Sequence, residues 1–212
     1  SVLAEPSMPS EPVAFASKSH LLHHASVQLG RSGVEAGYAP GFGKEDLWFG
    51  LDTRASVRVD HAGGWFGLRL HSDVVEIRTS ALFAYSFRRS FLPLRDSYRR
   101  QDAELRLDDE HALYGGISTE VGLACSLFGG DWQSETEAVG IFGTPANRAV
   151  YVEHLDVVDH GSYLLRQRLT AVWPWPSRTA VRVGGALEMI ALPSRDASVW
   201  RAGPVADLKL SP

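Results

Sequence analysis

The sequence predicts an all-β chain folded as an antiparallel up-and-down transmembrane β-barrel of about 8–10 strands, and three observations carry that expectation. First, Leu47, Phe49, Leu51, Thr53, Ala55, Val57 and Val59 alternate with Trp48, Gly50, Asp52, Arg54, Ser56 and Arg58. Such alternation belongs to a strand with one dry and one wet face. Second, the phase holds for about twice the usual strand length of about 5–6 residues, and a strand crossing a bilayer at a tilt needs roughly 9–11. Third, the faces opposite the apolar ones are built from Gly, Ser and Ala with scattered Arg and Glu. A water-facing sheet gains nothing from Gly116, Gly122, Gly184 and Gly203, since glycine weakens a strand. A narrow polar interior accommodates them.

Composition sets the bounds. The chain has 212 residues and a net charge of −4, with a pI near 6.0, so nothing electrostatic favours nucleic acid. The mean hydropathy of −0.10 does not exclude a barrel, whose polar lumen offsets its apolar wall. There is no run of 18 apolar residues for a helical span. The single cysteine, Cys125, has no intrachain disulfide partner and lies in an apolar register as a small wall residue.

The elements follow in order. Ser1 to Pro12 carries three prolines, and residues 1–24 are expected to be a flexible lead-in to a barrel domain over 25–212. A weak strand falls within His20–Tyr38, with Gly30, Gly33 and Gly37 blurring its faces. Gly41-Phe42-Gly43-Lys44 reads as a loop, 47–59 as the first long strand, and Asp60-His61-Ala62-Gly63-Gly64 as a turn. Trp65 opens the next strand, with Phe66, Leu68 and Leu70 opposite Gly67, Arg69 and His71. After Ser72-Asp73, Val75, Ile77, Thr79, Ala81, Phe83, Tyr85 and Phe87 share a face, and Leu82 intrudes on the polar one.

Residues 89–102 form a charged connection around Pro93, and Ala103–Leu107 reads as a short strand closed by Asp108-Asp109-Glu110. The third long strand runs 113–127, with Val121 and Leu123 on its apolar face and Glu120 on the polar one. Gly129-Gly130-Asp131 breaks it. Trp132–Phe142 and Arg148–Val158 read as strands about a turn at 143–147, in the least legible stretch. Tyr163, Leu165, Leu169, Ala171 and Trp173 then face away from Arg166, Arg168 and Thr170, until Trp173-Pro174-Trp175-Pro176 stops the ladder. Val181, Val183, Gly185, Leu187, Met189 and Ala191 oppose Arg182, Gly184 and Glu188. Pro193–Asp196 turns into a last strand around 200–210.

The runs 47–59, 75–87, 113–127, 163–173 and 181–191, with their short turns, give the chain a resemblance to the small outer-membrane β-barrel proteins of Gram-negative bacteria. The resemblance is one of class and covers about Ser26 to Leu210. It departs at the end, Leu208-Lys209-Leu210-Ser211-Pro212, where that class usually closes on an aromatic residue. It implies an outer-membrane location after removal of an export signal not contained in this chain, and a lipid bilayer as partner. Other envelope proteins would be met through loops 89–103 and 128–147.

Three groups of residues are expected to matter. Phe49, Leu51, Val57, Ile77, Phe83, Val121, Leu123, Val183 and Leu187 would face lipid. Trp65, Phe66, Tyr85, Phe87, Trp173 and Trp175 would form an interfacial aromatic girdle. Arg54, Glu120, Arg166, Arg168, Arg182 and Glu188 would form ion pairs across the lumen, because a buried unpaired charge is very unfavourable. Arginine suits this role, and lysine is confined to Lys18, Lys44 and Lys209.

The expected role is structural, as a scaffold or partner-binding barrel plugged by salt bridges. The alternatives are a small polar pore and a soluble barrel binding an apolar ligand. No catalytic residue, metal or cofactor is assigned. His160-Gly161-Ser162 is a weak echo of barrel-embedded lipid hydrolases, where His and Ser two apart share a strand face, but its neighbours suggest a turn. In His71-Ser72-Asp73, adjacent residues point to opposite faces and cannot form a triad. His20, His23 and His24 lack a second ligand set.

Overall fold

The computed structural model describes residues 13–16, 21–30, 33–44, 46–98, 111–152, 154–175 and 178–208. The chain is all-β with antiparallel neighbours throughout. In order the strands are β1 (Val13–Ala16), β2 (Leu21–Gly30), β3 (Gly33–Lys44), β4 (Leu47–Arg58), β5 (His61–Ser72), β6 (Val75–Ser90), β7 (Leu92–Pro93), β8 (His111–Leu127), β9 (Gly130–Phe142), β10 (Arg148–Val152), β11 (Val157–Asp159), β12 (Tyr163–Trp175), β13 (Arg178–Leu192) and β14 (Ala197–Leu208). The main sheet has the order β1-β2-β3-β4-β5-β6-β8-β9-β12-β13-β14, and β11-β10-β7 form a second, small sheet.

All strands of the main sheet except β1 have ten or more residues. The period-two patterning that sets their length also sets their register, since a one-residue slip would exchange the two faces. Tight connections keep sequence neighbours paired. The β8–β9 link is a two-residue turn with Phe128 at φ 55° and Gly129 at φ 72°, the mirror-image geometry whose twist matches that of the strands. At Asp73-Val74, the Ser72 hydroxyl accepts from the Val75 N–H at 2.9 Å.

Several boundaries differ from the sequence reading. Gly41–Lys44 belongs to β3, paired with Leu47–Gly50 of β4. His61–Gly64 is strand, paired with Ala84–Ser86 and Phe83 of β6. Glycine there signals small neighbours and not a turn: a Cβ at Gly63 would lie 3.3 Å from the Ser56 hydroxyl. The lead-in expected over 1–24 contains β1 and the start of β2. The 128–147 segment is mostly β9, so only the 128–129 turn and 143–147 lie outside strands. The strand expected at Ala103–Leu107 lies outside the described residues.

The sheet curls. Arg54 on β4 comes within 3.8 Å of Glu120 on β8 across β5 and β6, and the side chains of that face are buried while those opposite are exposed. Among the described residues, no backbone pairing joins β14 to β1 or β2. The long connection between β9 and β12 folds back against the concave face. There β10 and β11 pair as an inner hairpin, Val150↔Asp159 to Val152↔Val157. Its Val150, Val152, Leu155 and Val157 pack with Trp65, Leu82, Ala84, Tyr114, Val139, Ile141, Leu164, Ile190 and Leu192 from the sheet. Leu82, the intruder on a polar face, is thereby explained: it is 1% exposed beneath the hairpin.

Candidate functional site

The two faces of the sheet have inverted polarity. Phe49, Leu51, Val57, Ile77, Phe83, Leu123 and Leu187 are exposed on the convex face, Phe83 at 64%, and Val121 and Val183 there are half-buried. The concave face buries Asp52, Arg69, Ser80, Ser118, Glu137 and Arg168.

Strand register arranges the concave charges in rows. One row runs Arg69↔Arg78↔Glu120↔Glu137↔Arg166 across β5, β6, β8, β9 and β12. The next runs His71↔Glu76↔Gly122↔Glu135↔Arg168↔Glu188↔Arg201. Positions two apart on a strand share a face, so adjacent rows interlock.

Arg166 Nε donates to Glu188 Oε1 at 2.7 Å and Nη1 to Glu137 Oε2 at 3.5 Å, with Glu135 at 3.9 Å. Arg69 donates to Glu76 Oε2 at 2.5 Å, and Arg78 pairs with both Glu76 and Glu120. Arg54 sits 3.2 Å from Asp52 and 3.8 Å from Glu120. Most members keep a small exposed fraction, and nearly every charge has an opposite neighbour, the condition under which a buried belt is tolerated.

The structure therefore brings Arg54, Glu120, Arg166, Arg168 and Glu188 onto one concave belt. Arg182 stands apart: it donates to Asp131 at 2.7 Å, near the β8–β9 turn, because its register position lies toward that end of β13. Sequence reasoning did not assign Arg69, Glu76, Arg78, Glu135, Glu137, Arg201 and Asp52 to the belt. Alternation in β5 and β6 already placed Arg69, Glu76 and Arg78 on the polar face. Glu135 and Glu137 were hidden because the β9 sequence carries polar residues on both faces.

Those outward polar residues on β9 satisfy one another. Thr136 Oγ1 donates to Gln167 Oε1 at 2.5 Å, and Gln167 Nε2 donates to Ser134 Oγ at 2.9 Å. The outer wall thus carries polar side chains with their hydrogen bonds already made.

Two girdle assignments are corrected. Trp65 is 8% exposed and points inward, with the Arg54 guanidinium 5.4 Å from its ring centroid; its parity is that of Gly67 and Arg69. Phe66 faces outward but stands mid-strand, paired with Thr53 and Ala81, because β5 begins at His61. Tyr85, Phe87, Trp173 and Trp175 are exposed on the convex face. Tyr85 and Phe87 meet edge to face at 5.6 Å, and Trp173 meets Trp132 likewise.

Above the charged belt lies the hairpin. Asp159 is fully buried and accepts from the N–H groups of Gly161 and Ser162 at 2.9 and 3.0 Å and from the Ser194 hydroxyl at 2.6 Å. His160 and Ser162 thus belong to an Asx turn, with Gly161 at φ 78°, and do not share a strand face. Arg195 donates to the Val158 and Asp96 carbonyls, and Arg201 to that of Asp156. These bonds fasten the hairpin to the β13–β14 side of the sheet and, through Arg195, tie in the connection after β7. Among the described residues no group of three or more His, Cys, Asp or Glu could hold a metal ion. The side chains of His20, His23 and His24 fall outside the described residues. Cys125 is exposed on the convex face.

Set against known protein families, curated proteins and solved structures, the chain gives no match.

Proposed function

We propose that this chain is a small transmembrane β-barrel of an outer membrane, with a structural or partner-binding role and an interior closed by its own side chains. The observation that carries this reading is the inverted polarity: leucine, valine and phenylalanine exposed on the convex face, paired arginine and glutamate buried on the concave one. An apolar patch far larger than a few hundred Å² on a soluble monomer would be a liability; against acyl chains it is required.

Chain topology supports closure. Neighbouring strands alternate in direction, so β2 and β14, the first and last of the long strands, run opposite ways; β1 covers the edge of β2 over Leu22–Ala25, and closure as a barrel of ten would use the rest of that edge. Both long connections, β6–β8 and β9–β12, leave from the same end. The other end carries two-residue turns such as 73–74 and 128–129, the asymmetry of such barrels. The apolar packing of the inner hairpin at the end of the long connections favours a plug over an open pore. The charged concave face is unsuited to an apolar ligand.

The reading is tested by flotation with lipid vesicles and by gel mobility before and after heating. Co-flotation and a heat-dependent shift are expected, together with electrically silent planar bilayers. Protein that stays monomeric and soluble without detergent would refute it.

A further inference from the structure

Among the described residues the inner hairpin carries a buried imidazole that neither the charged belt nor the hairpin's own fastenings use. His154 lies in the β10–β11 turn, and its ring meets Trp65 of β5 edge to face at 5.9 Å. Its Nε2 is buried without a hydrogen bond and sits 3.8 Å from Glu137 Oε1 of β9. That carboxylate is already engaged: the Ser118 hydroxyl of β8 donates to it at 2.8 Å and Arg166 of β12 at 3.5 Å. Arg54 of β4 and His61 of β5 add positive or potentially positive charge within range of the ring. A neutral imidazole fits this corner. An imidazolium would enter it desolvated, facing two guanidiniums, with a single carboxylate that is shared already.

We propose that His154 makes the inner hairpin an acid-released plug: protonation of this one side chain favours withdrawal of β10–β11 from the concave face. Two of the fastenings, Arg195 to Val158 and Arg201 to Asp156, use guanidinium donors and carbonyl acceptors and do not change with pH, while a third runs from the Ser194 hydroxyl to the Asp159 carboxylate. The apolar contacts of Val150, Val152 and Leu155 do not change either. His154 is the hairpin group whose neutral form the packed position requires, and a loss of protection that persists in His154 variants would point to Asp159 instead.

The direction follows from linkage. Burial, with the neighbouring arginines, pushes the His154 imidazole down to about 4, whereas a withdrawn, hydrated imidazole has its ordinary value near 6.5. The packed position is favoured fully above about pH 6.5, and that preference is lost as pH falls toward 4. At about pH 5 the ratio of withdrawn to packed hairpin is then raised roughly thirtyfold over neutral pH.

Amide hydrogen exchange tests this on the full chain in detergent micelles, with rates corrected to protection factors at about pH 7.5 and 5. The inference does not require the wall to face lipid, so a failed flotation would leave this measurement intact. Wild type is expected to lose protection roughly thirtyfold over 148–159 at the lower pH, while β8 and β12 keep theirs. His154→Phe, which retains a ring against Trp65, is expected to hold its protection at both pH values. His154→Gln serves the same purpose should the phenylalanine variant fail to fold. Unchanged protection in wild type, equal loss in wild type and variants, or loss throughout β8 and β12 would each overturn the proposal.

Discussion

Replacing Leu169 by arginine separates a lipid-facing wall from a water-facing one. Leu169 is outward on β12 and 42% exposed. Tyr163 and Trp175, both exposed, bracket it six residues away on either side. Six residues span about 20 Å along a strand, and a tilt near 40° reduces that to about 15 Å of height. On the transmembrane reading Leu169 would stand at the middle of a hydrocarbon layer about 30 Å thick. In water, a substitution at so exposed a strand position is worth within about 0.5 kcal/mol. At the bilayer midplane, arginine costs about 2–4 kcal/mol, a factor of roughly 30 to 700 in the folding constant. Tyr163→Arg, at the rim, is expected to cost about 0–1 kcal/mol. Urea unfolding of protein inserted in phosphatidylcholine vesicles, followed by tryptophan fluorescence, measures both. Leu169→Arg equal to Tyr163→Arg, and close to wild type, would refute the reasoning.

Three further outcomes are expected. Arg166→Met leaves Glu135, Glu137 and Glu188 without their shared partner and should lose about 3–5 kcal/mol in the same urea assay; adding Glu188→Gln should recover part of that. Gly184→Ala would drive a methyl into the Ala171 carbonyl and should cost about 1–3 kcal/mol. Gly203→Ala, with nothing within 4 Å of the new carbon, should be neutral or mildly stabilising on thermal melting. Among single-tryptophan variants, Trp175 and Trp200 should be quenched by brominated lipids, and Trp65, buried against Arg54, should not.

The long strands were legible because each has one face of apolar side chains and one of small or charged ones, as in 47–58 and 113–127. Legibility failed where that contrast failed. β3 places Gly33, Gly37, Gly41 and Gly43 along one face, and Gly63-Gly64 resembles a turn although both lie within β5, Gly63 close against Ser56. On β9, outward Ser134 and Thr136 are polar because Gln167 satisfies them from the next strand, a pairing no local pattern reveals. The belt was half legible: alternation located Arg54, Glu120, Arg166 and Glu188, but the rows that join them are set by inter-strand register. The inner hairpin was invisible, since β10 and β11 are short apolar runs and only their burial against Leu82, Val139 and Ile190 distinguishes them from wall. Trp65 was misassigned by its nearness to an apparent strand end, when parity with Arg69 already placed it inside.

The most direct test of the inverted polarity is a spin-label scan of β12 in vesicles, one nitroxide at a time from Tyr163 to Trp175, reading collisions with oxygen and with a water-soluble nickel chelate. The account predicts an alternation of period two, with oxygen favoured at Leu165, Gln167, Leu169 and Ala171 and its excess greatest at Leu169. Nickel reaching those four positions as readily as oxygen would contradict it.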